Sequence, residues 1–248
     1  MRHFKFYAVL CFCCALFISA AATAAQPLPA GIGGRPNFAI GLKASSLGAG
    51  IEAGVGFTRW MDVRGGFNGL NFSHNFNQDG VTYNGTLNLR SVEAAVDFKP
   101  LGDWFHLSPG VLLYNGNQIT ANASVPGGQT FSLGGTDFQS NPANPINGAG
   151  KLSVKKAAPM LLFGFGSLVP HKHHFTFYND LGVVYQGEPQ TTLALTGSAC
   201  DATGQNCVNA ATDPTILSQI QSEQAKINRD TRIAKFYPVL SFGFGYRF

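Results

Sequence analysis

The C-terminal stretch from residue 236 to 248 alternates between large apolar side chains and mostly small or polar ones. The even positions carry Phe236, Pro238, Leu240, Phe242, Phe244, Tyr246 and Phe248. A period of two predicts a β-strand with one apolar face. At the edge of a soluble sheet such a strand would promote aggregation, whereas in a membrane its aromatic face contacts lipid. The pattern therefore predicts a transmembrane strand.

Seven further segments show a similar alternation, which brings the number of predicted strands to eight. They are residues 38–44, 48–57, 61–72, 81–98, 105–121, 158–169 and 175–195. Most supply the roughly 9–11 residues that a membrane-spanning strand needs. The even number fits closure of an antiparallel sheet, so we predict an all-β, up-and-down transmembrane barrel. Ten strands is the alternative, because a long loop contains a possible hairpin at 130–133.

The connections between the predicted strands alternate in length. Those after the second, fourth and sixth strands are short, whereas long segments at about 125–157 and 196–235 join later pairs. Bacterial outer-membrane barrels have tight periplasmic turns and longer surface loops. We therefore expect extracellular loops at these two segments and both termini in the periplasm.

The last of these loops contains a predicted helix. Asp213 is a suitable N-cap, Pro214 suits the first helical position, and the helix extends to Asp230. Its apolar residues include Ile216 and Ile220. Two roles stay open for this helix, a cover over the barrel rim or a lid that gates the lumen.

Residues 1–25 have the pattern of a signal peptide. Arg2 and Lys5 precede an apolar stretch at 6–18, and small residues at 22–25 form a cleavage site. This predicts a mature domain at 26–248 in the bacterial outer membrane. Of the cysteines, Cys200 and Cys207 remain after cleavage, and in an exported protein they are expected to form a loop disulfide.

Charge and composition narrow the classes of partner. The formal net charge is +4 and falls to about +2 without the signal segment, so no nucleic-acid partner is expected. Charged residues make up 12% of the chain, beside 30 Gly and 21 Phe. A barrel fits this composition better than a soluble α/β enzyme does.

The alternation also predicts which charged side chains face the lumen. Five are expected to form a belt at similar depth: Lys43, Glu52, Arg64, Glu93 and Asp180. Four more are expected near the rims: Asp97, His106, Lys235 and Arg247. An eight-stranded barrel is just wide enough for its side chains to fill it, and buried charges require partners. Two interpretations stay open, a plug of ion pairs or a narrow path that tolerates cations and zwitterions better than anions.

Specific pairs follow from the expected hairpins. Lys43 and Glu52 should be cross-strand neighbours, and Asp97 should pair with His106 across the turn at Pro100. No catalytic site, metal site or cofactor is predicted. His106 and Ser108 share a face as in some lipid-modifying barrel enzymes, but no matching glutamate is placed to orient the histidine. The His-rich turn at 171–174 is interpreted as a solvated turn.

Several segments in order resemble the carbapenem-associated outer-membrane (CarO-type) barrels. They are residues 159–166, 180–190, 223–230 and 236–239, followed by the aromatic terminus. The resemblance implies an eight-stranded monomeric barrel. For that family, influx of small or basic amino acids and of a carbapenem has been proposed. The loop between Cys200 and Cys207 is not a feature associated with the family.

These observations predict a narrow passive channel for small cationic or zwitterionic solutes, or a structural barrel with a charge-plugged lumen. The alternative is a surface-recognition or adhesion protein that acts through its long loops. Expected partners are outer-membrane lipid, lipopolysaccharide and the barrel-assembly machinery, which would recognise the strand that ends at Phe248. A small solute is the possible permeant, and the protein is expected to be a monomer.

Overall fold

A computed structural model of the chain describes residues 37–78 and 81–248. The strands are β1 Asn37–Ser45, β2 Gly48–Thr58, β3 Met61–Gln78, β4 Val81–Phe98, β5 Phe105–Asn115, β6 Gln118–Val125, β7 Thr130–Leu133, β8 Thr136–Ser140, β9 Ile146–Ser153, β10 Ala158–Phe165, β11 Phe175–Tyr185, β12 Gln190–Thr196, β13 Ser198–Cys200, β14 Val208–Asn209 and β15 Phe236–Arg247. The helix α1 spans Pro214–Asp230, and short 3₁₀ turns span Gly102–Trp104 and Arg232–Lys235. The predicted signal peptide lies outside the described residues.

Eight antiparallel strands close into a barrel. The order around the wall is β1, β2, β3, β4, β5, β10, β11 and β15, and β15 pairs again with β1. The predicted eight-stranded barrel is confirmed. The hairpin considered for a ten-stranded barrel also exists, as β7 and β8, but it belongs to a separate four-stranded sheet.

The outer face of the barrel is apolar. Leu42 on β1 is 68% exposed and Phe244 on β15 is 69% exposed, and the two residues are direct cross-strand neighbours. An apolar outer face of this kind is typical of barrels whose surface contacts lipid. Within the described residues, no helix is long and apolar enough to cross a membrane.

Two predicted strands, 105–121 and 175–195, are each broken into two. The first is interrupted at 116–117 between β5 and β6, and the second at 186–189 between β11 and β12. The first part of each, β5 and β11, stays in the barrel. The second part of the first, β6, pairs with the N-terminal half of β4 and with β9, and β9 also pairs with β12. The left-handed conformation of Gly187, with φ of 71°, helps to turn the chain at the second break.

The strand segments on the far side of these breaks from the barrel form a second structural region, here called the outer sheet. It consists of residues 70–78 and 81–89 together with β6, β9 and β12. The segments 125–157 and 196–235, expected as loops, therefore contain seven strands or parts of strands and the helix. The expected sixth barrel strand, 158–169, ends at Phe165, because Gly166 is left-handed with φ of 81° and redirects the chain.

Helix α1 begins where the sequence predicts and packs on the outer sheet. The side chain of Asp213 accepts hydrogen bonds from the backbone N–H groups of Thr215 (2.9 Å) and Ile216 (3.1 Å). Ile216 and Ile220 are buried in an apolar cluster whose other members come mainly from strands of the two sheets: Val81, Val125, Leu133, Ile146, Ala199 and Ala210. The helix thus closes an apolar core outside the barrel.

The same helix also covers the free edge of β12. The N–H of Thr191 donates to Oδ1 of Asn228 at 2.8 Å, and Nε2 of Gln224 donates to the carbonyl oxygen of Leu193 at 3.2 Å. An uncovered edge of this kind presents unpaired backbone groups to other chains. Side chains of α1 satisfy two of those groups.

The predicted disulfide between Cys200 and Cys207 is confirmed. It closes a loop in which Asp201 accepts hydrogen bonds from Thr203, Gln205 and Asn206. The hydroxyl of Thr203 is the main cause that lowers the pKa of Asp201 to about 2, and the N–H of Gln205 and the amide of Asn206 add to it. The loop is therefore constrained by both a covalent bond and a hydrogen-bonded carboxylate.

Candidate functional site

Arg64 on β3 is the centre of a charge network inside the barrel. Its guanidinium forms a two-pronged ion pair with Asp180 on β11, with Nη2–Oδ1 at 2.6 Å and Nη1–Oδ2 at 3.0 Å. Its Nε lies 3.0 Å from Oδ1 of Asp97, and its Nη1 lies 3.8 Å from Oε2 of Glu52. The side chains of Arg64 and Asp180 are only 3% and 1% exposed. The pair thus bridges the lumen away from water.

Lys43 organises the second half of the network. Its ammonium lies 2.8 Å from Oε1 of Glu52 and also contacts Oε1 of Glu93. Asn68 donates to the other oxygen of Glu93 at 3.0 Å, and the hydroxyl of Tyr178 donates to the other oxygen of Glu52 at 2.7 Å. All five residues of the predicted belt therefore meet in one buried network, as paired charges in a low-dielectric interior require.

The first hairpin differs in register from the expected one. Ser45 pairs with Gly48, so Lys43 lies directly opposite Gly50 and only diagonally from Glu52. The ion pair still forms, because a lysine side chain is long enough to reach a diagonal neighbour.

His106 on β5 contributes to the network in a different way from the one expected. Its Nε2 lies 2.7 Å from Oδ1 of Asp180, and its Nδ1 lies 2.8 Å from the carbonyl oxygen of Gly166. The imidazole thus connects the belt to the turn that follows β10.

The expected pairing of Asp97 with His106 is wrong. Phe98 pairs with Leu107, which places Ser108 beside Asp97, and the Ser108 hydroxyl donates to Oδ1 of Asp97 at 2.6 Å. Asp97, expected near the rim, instead belongs to the central network. Ser108 acts here as a hydrogen-bond donor to a carboxylate.

The two remaining rim residues have different positions. Lys235 does not face the lumen, because β15 begins only at Phe236, and its ammonium lies 5.4 Å from the centroid of the Phe236 ring. Arg247, on the lumen-facing parity of β15, donates from Nη1 to the carbonyl oxygen of His171 at 2.9 Å. The prediction for Lys235 was therefore wrong, while Arg247 does lie at the rim.

A turn closes the barrel at the end that carries residues 37 and 248, here called the termini end. Residues 167–170 fold into the lumen, where Leu168 and Val169 are 1% and 2% exposed. Gly54 and Gly245 provide the room for them. A Cβ at Gly54 would lie 2.9 Å from Cγ2 of Val169, and one at Gly245 would lie 2.8 Å from Cδ1 of Leu168.

Lys99 anchors this turn from within. Its fully buried ammonium lies 2.7 Å from Oδ2 of Asp62 and 3.1 Å from Oδ1 of Asp103. It also donates to the carbonyl oxygen of Val169 at 3.2 Å and to the hydroxyl of Ser167 at 3.4 Å. The turn is therefore held by both apolar packing and a charge-assisted set of hydrogen bonds.

Asp103 links the anchor to the surface of the termini end. It accepts hydrogen bonds from the N–H of His171 at 2.8 Å, and its Oδ1 lies 2.8 Å from Nδ1 of the same residue. Partial burial opposes the charge on Asp103, but the hydrogen bonds from His171 and the charge of Lys99 outweigh it and hold the pKa of that carboxyl below its usual range. The turn at 171–174 is thus tied to the barrel.

The opposite end of the barrel, here called the loop end, is closed by an apolar layer. Leu47, in the turn between β1 and β2, is 1% exposed and packs with Leu112, Met160, Val184 and Val239. The lumen therefore has three layers, an apolar cap at the loop end, the charge network, and the inserted turn at the termini end.

Several residues of the network were missed in the sequence. Asp62 and Tyr178 lie two positions from Arg64 and Asp180, so the same alternation predicts that they face inward. The burial of Leu168 and Val169 was harder to predict. Both are apolar, but they lie at the end of a predicted strand, next to a short turn. Lys99 gave no signal, because it follows the strand in a turn and reaches the lumen only through tertiary contacts.

Comparison with known proteins supports the architecture. No protein-family model and no curated protein sequence matches the chain. A solved structure of CarO from Acinetobacter baumannii is similar, with a TM-score of 0.54 and 21% identity over 85% of this chain and 97% of that one. The chain has the CarO barrel fold. CarO2 of the same organism gives a TM-score of 0.55 and 19% identity over 87% of this chain and 100% of that one.

The likeness to the CarO structures confirms the fold class expected from the sequence resemblance. The chain is a β-barrel of the outer-membrane class, and its apolar outer face and closed ring of eight strands agree with that assignment. Among the described residues, no group of three or more His, Cys, Asp or Glu side chains is arranged to hold a metal ion.

Proposed function

We propose that this protein is an outer-membrane β-barrel with a closed lumen that holds a folded binding region, the outer sheet with α1, at the cell surface. The observation that carries the proposal is the buried pair of Arg64 and Asp180, which lies between the apolar cap of the loop end and the inserted turn of the termini end. In this orientation the termini end faces the periplasm and the outer sheet is extracellular, as the asymmetry of barrel loops favours.

The closed lumen follows from the energetics of its charges. Breaking a buried ion pair leaves an uncompensated charge and costs about 3–5 kcal/mol. A solute that displaced Arg64 from Asp97 and Asp180 would have to replace several such contacts at once. The resting barrel is therefore suited to anchoring and poorly suited to continuous flux.

The outer sheet has the features of a folded region with its own core. Its inner face, α1 and the β7–β8 hairpin share one apolar cluster that is separate from the apolar cap of the lumen. The disulfide between Cys200 and Cys207 constrains its loop. Binding residues are commonly carried on surface segments that a rigid scaffold positions. The barrel would be that scaffold.

Conductance recording tests this proposal. The protein is refolded, its folded barrel is confirmed by altered gel migration before heating, and it is inserted into planar bilayers. We expect no steady conductance. A variant with Arg64→Ala and Asp180→Ala together with Leu168→Gly and Val169→Gly, which opens both the charge network and the inserted turn, is the comparison and should show conducting events. Steady conductance of the unmodified protein would overturn the proposal.

A gated channel is the second candidate, and one observation favours it. A turn contributes to the closure at each end, Leu47 at the loop end and 167–170 at the termini end, so a movement of both turns would open much of the path on either side of the charge network. The buried acids Glu52, Asp62, Glu93, Asp97 and Asp180 outnumber the bases Lys43, Arg64 and Lys99. A channel of this kind would favour small cations or zwitterions. Reversal potentials in a salt gradient would then show cation selectivity.

The proposed location also implies general partners. The outer face of β15, with Phe242, Phe244 and Tyr246 exposed, would contact outer-membrane lipid and would be recognised during assembly by the barrel-assembly machinery. The wall at the loop end would contact lipopolysaccharide. We further propose a monomer, since the eight wall strands close on one another and leave no unpaired edge in the barrel.

A further inference from the structure

A cavity of about 720 Å³ lies within the outer sheet region, between the inner face of the sheet, the β7–β8 hairpin and α1. Apolar side chains from all three line it, including Val81, Ala123, Phe131, Leu193, Leu195 and Ile220. Small-molecule sites in proteins are mostly apolar clefts of roughly 300–1,000 Å³ with a few polar groups. The volume and lining fall within that class.

Glycines on β9 create part of this space. Gly148 and Gly150 both line the cavity. A Cβ at Gly148 would lie 3.2 Å from Cδ2 of Leu195, and a Cβ at Gly150 would lie 3.1 Å from Cδ2 of Leu193. A side chain at either position would push the leucine into the cavity, so the absence of a side chain at both glycines keeps it open.

Polar groups of the hairpin lie at the rim. Thr130, Ser132 and Asp137 line the cavity and are exposed. Among the described residues that line the cavity, Asp137 is the only Asp or Glu, and none is Lys, Arg or His. A single carboxylate beside an apolar cavity attracts a cationic group and disfavours an anionic one.

We propose that this cavity binds a small amphiphile with an apolar body and a protonated amine. The apolar body fills the space between Ala123, Leu193 and Ile220, and the amine lies at the rim beside Asp137. This inference rests on the proposed function, in which the outer sheet is the binding region. It adds the chemical class of ligand that the region takes.

Nuclear magnetic resonance of the ¹⁵N-labelled protein in lipid nanodiscs tests the inference. The probe is 4-phenylbutylamine, and 4-phenylbutyrate has the same apolar body with the opposite charge. We expect saturable shifts of amide signals around Ala123, Gly148 and Leu193 with the amine, and binding of the carboxylate about tenfold weaker or more. Shifts that rise linearly with concentration for both probes would indicate partition into lipid and overturn the inference.

Three variants, one of them a matched control, sharpen the result. Ala123→Leu fills the cavity and should abolish the saturable shifts, while Ser124→Leu places the same side chain on the opposite face of β6 as the matched control. Asp137→Asn changes only an exposed residue, so folding is maintained, and it should weaken the amine about fivefold or more without affecting 4-phenylbutanol. Equal affinity of the amine for all three variants would contradict the proposed site.

The outcome is separable from that of the conductance recording. A silent barrel without amine binding removes the ligand class and leaves the closed anchor in place. A conducting barrel overturns the proposed function whether or not the amine binds, and the cavity is then judged on the amide shifts alone.

Discussion

Strand β4 passes through two regions whose polarity is opposite. In the barrel its lumen-facing residues include Glu93 and Asp97, and its outward residues include Val92 and Val96. In the outer sheet the same inner face carries Val81 and Tyr83, while the opposite face carries polar residues. The backbone and its alternation are continuous, so only the surroundings of each face have changed.

The difference teaches where the membrane ends. In the barrel the outward face meets lipid and is apolar, whereas in the outer sheet it meets water and is polar. The polarity of β4 changes at Arg90, and its cross-strand partner Gly69 marks the corresponding position on β3. In the outer sheet, beyond Gly69, β3 carries polar residues such as Asn71 and Ser73 on its outward face.

The strongest test of this comparison removes the central charge of the barrel. Arg64→Met leaves Asp97 and Asp180 without their main partner and should destabilise the barrel by about 3–5 kcal/mol. Urea unfolding and the fraction of heat-modifiable barrel after refolding measure the effect. Arg90→Met, at an exposed position, is the control. Adding Asp180→Asn to Arg64→Met should recover part of the lost stability. An unchanged urea midpoint for Arg64→Met would show that the network is dispensable.

The next test asks whether the outer region is stabilised independently. Ile220→Ala removes a buried side chain from its core and should cost about 2–5 kcal/mol there. We expect faster cleavage within α1 in limited proteolysis while the barrel keeps its folded gel migration. Leu217→Ala, on the same helix at a residue that is 39% exposed, should have little effect. Loss of the folded barrel would show that the two regions form one cooperative unit.

A charge on the outward face tests the position of the membrane boundary. Ala94→Arg places a guanidinium in lipid and should destabilise the barrel by about 2–4 kcal/mol if the residue lies near the midplane. Asn122→Arg, on the water-facing side of β6, should change stability by less than about 0.5 kcal/mol. Unfolding in lipid vesicles compares the two variants, and equal losses would contradict the boundary at Arg90.

The smallest expected effect concerns pH at the termini end. The pKa of Asp103 is lower in the folded barrel than in the unfolded chain, so its stabilisation is complete above about pH 4 and is lost as pH falls through the folded-state value. Since its side chain is 29% exposed, the contribution should be on the order of 1 kcal/mol or less. Between about pH 6 and pH 3, the free energy of unfolding of Asp103→Asn should fall less than that of the unmodified protein; identical slopes would exclude this role.

Predictions from local alternation were confirmed for barrel strand segments in which one face lines the lumen and the other faces outward along the whole segment. The parity that places Lys43, Glu52, Arg64, Glu93 and Asp180 inward is a property of the pleated backbone. The start of α1 was predicted for a similar reason, because Asp213 caps its own helix through neighbouring residues. The disulfide joins two cysteines close in sequence, so it too was predictable.

Contacts between distant segments could not be predicted in this way. The partner of His106 is Asp180, which depends on the position of β11 across the lumen, and Lys99 reaches Val169 only because the turn after β10 folds inward. The breaks at 116–117 and 186–189 were missed because alternation continues on both sides of them.

The sequence by itself therefore determined the barrel class, the inward set of charges, the helix and the disulfide. These follow from periodicity and short-range chemistry, which each segment carries alone. Only the tertiary structure decided that the long loops form a sheet with its own core, that turns close both ends of the lumen, and which charges pair. Those features depend on where strands far apart in sequence come together, and local patterns do not encode that arrangement.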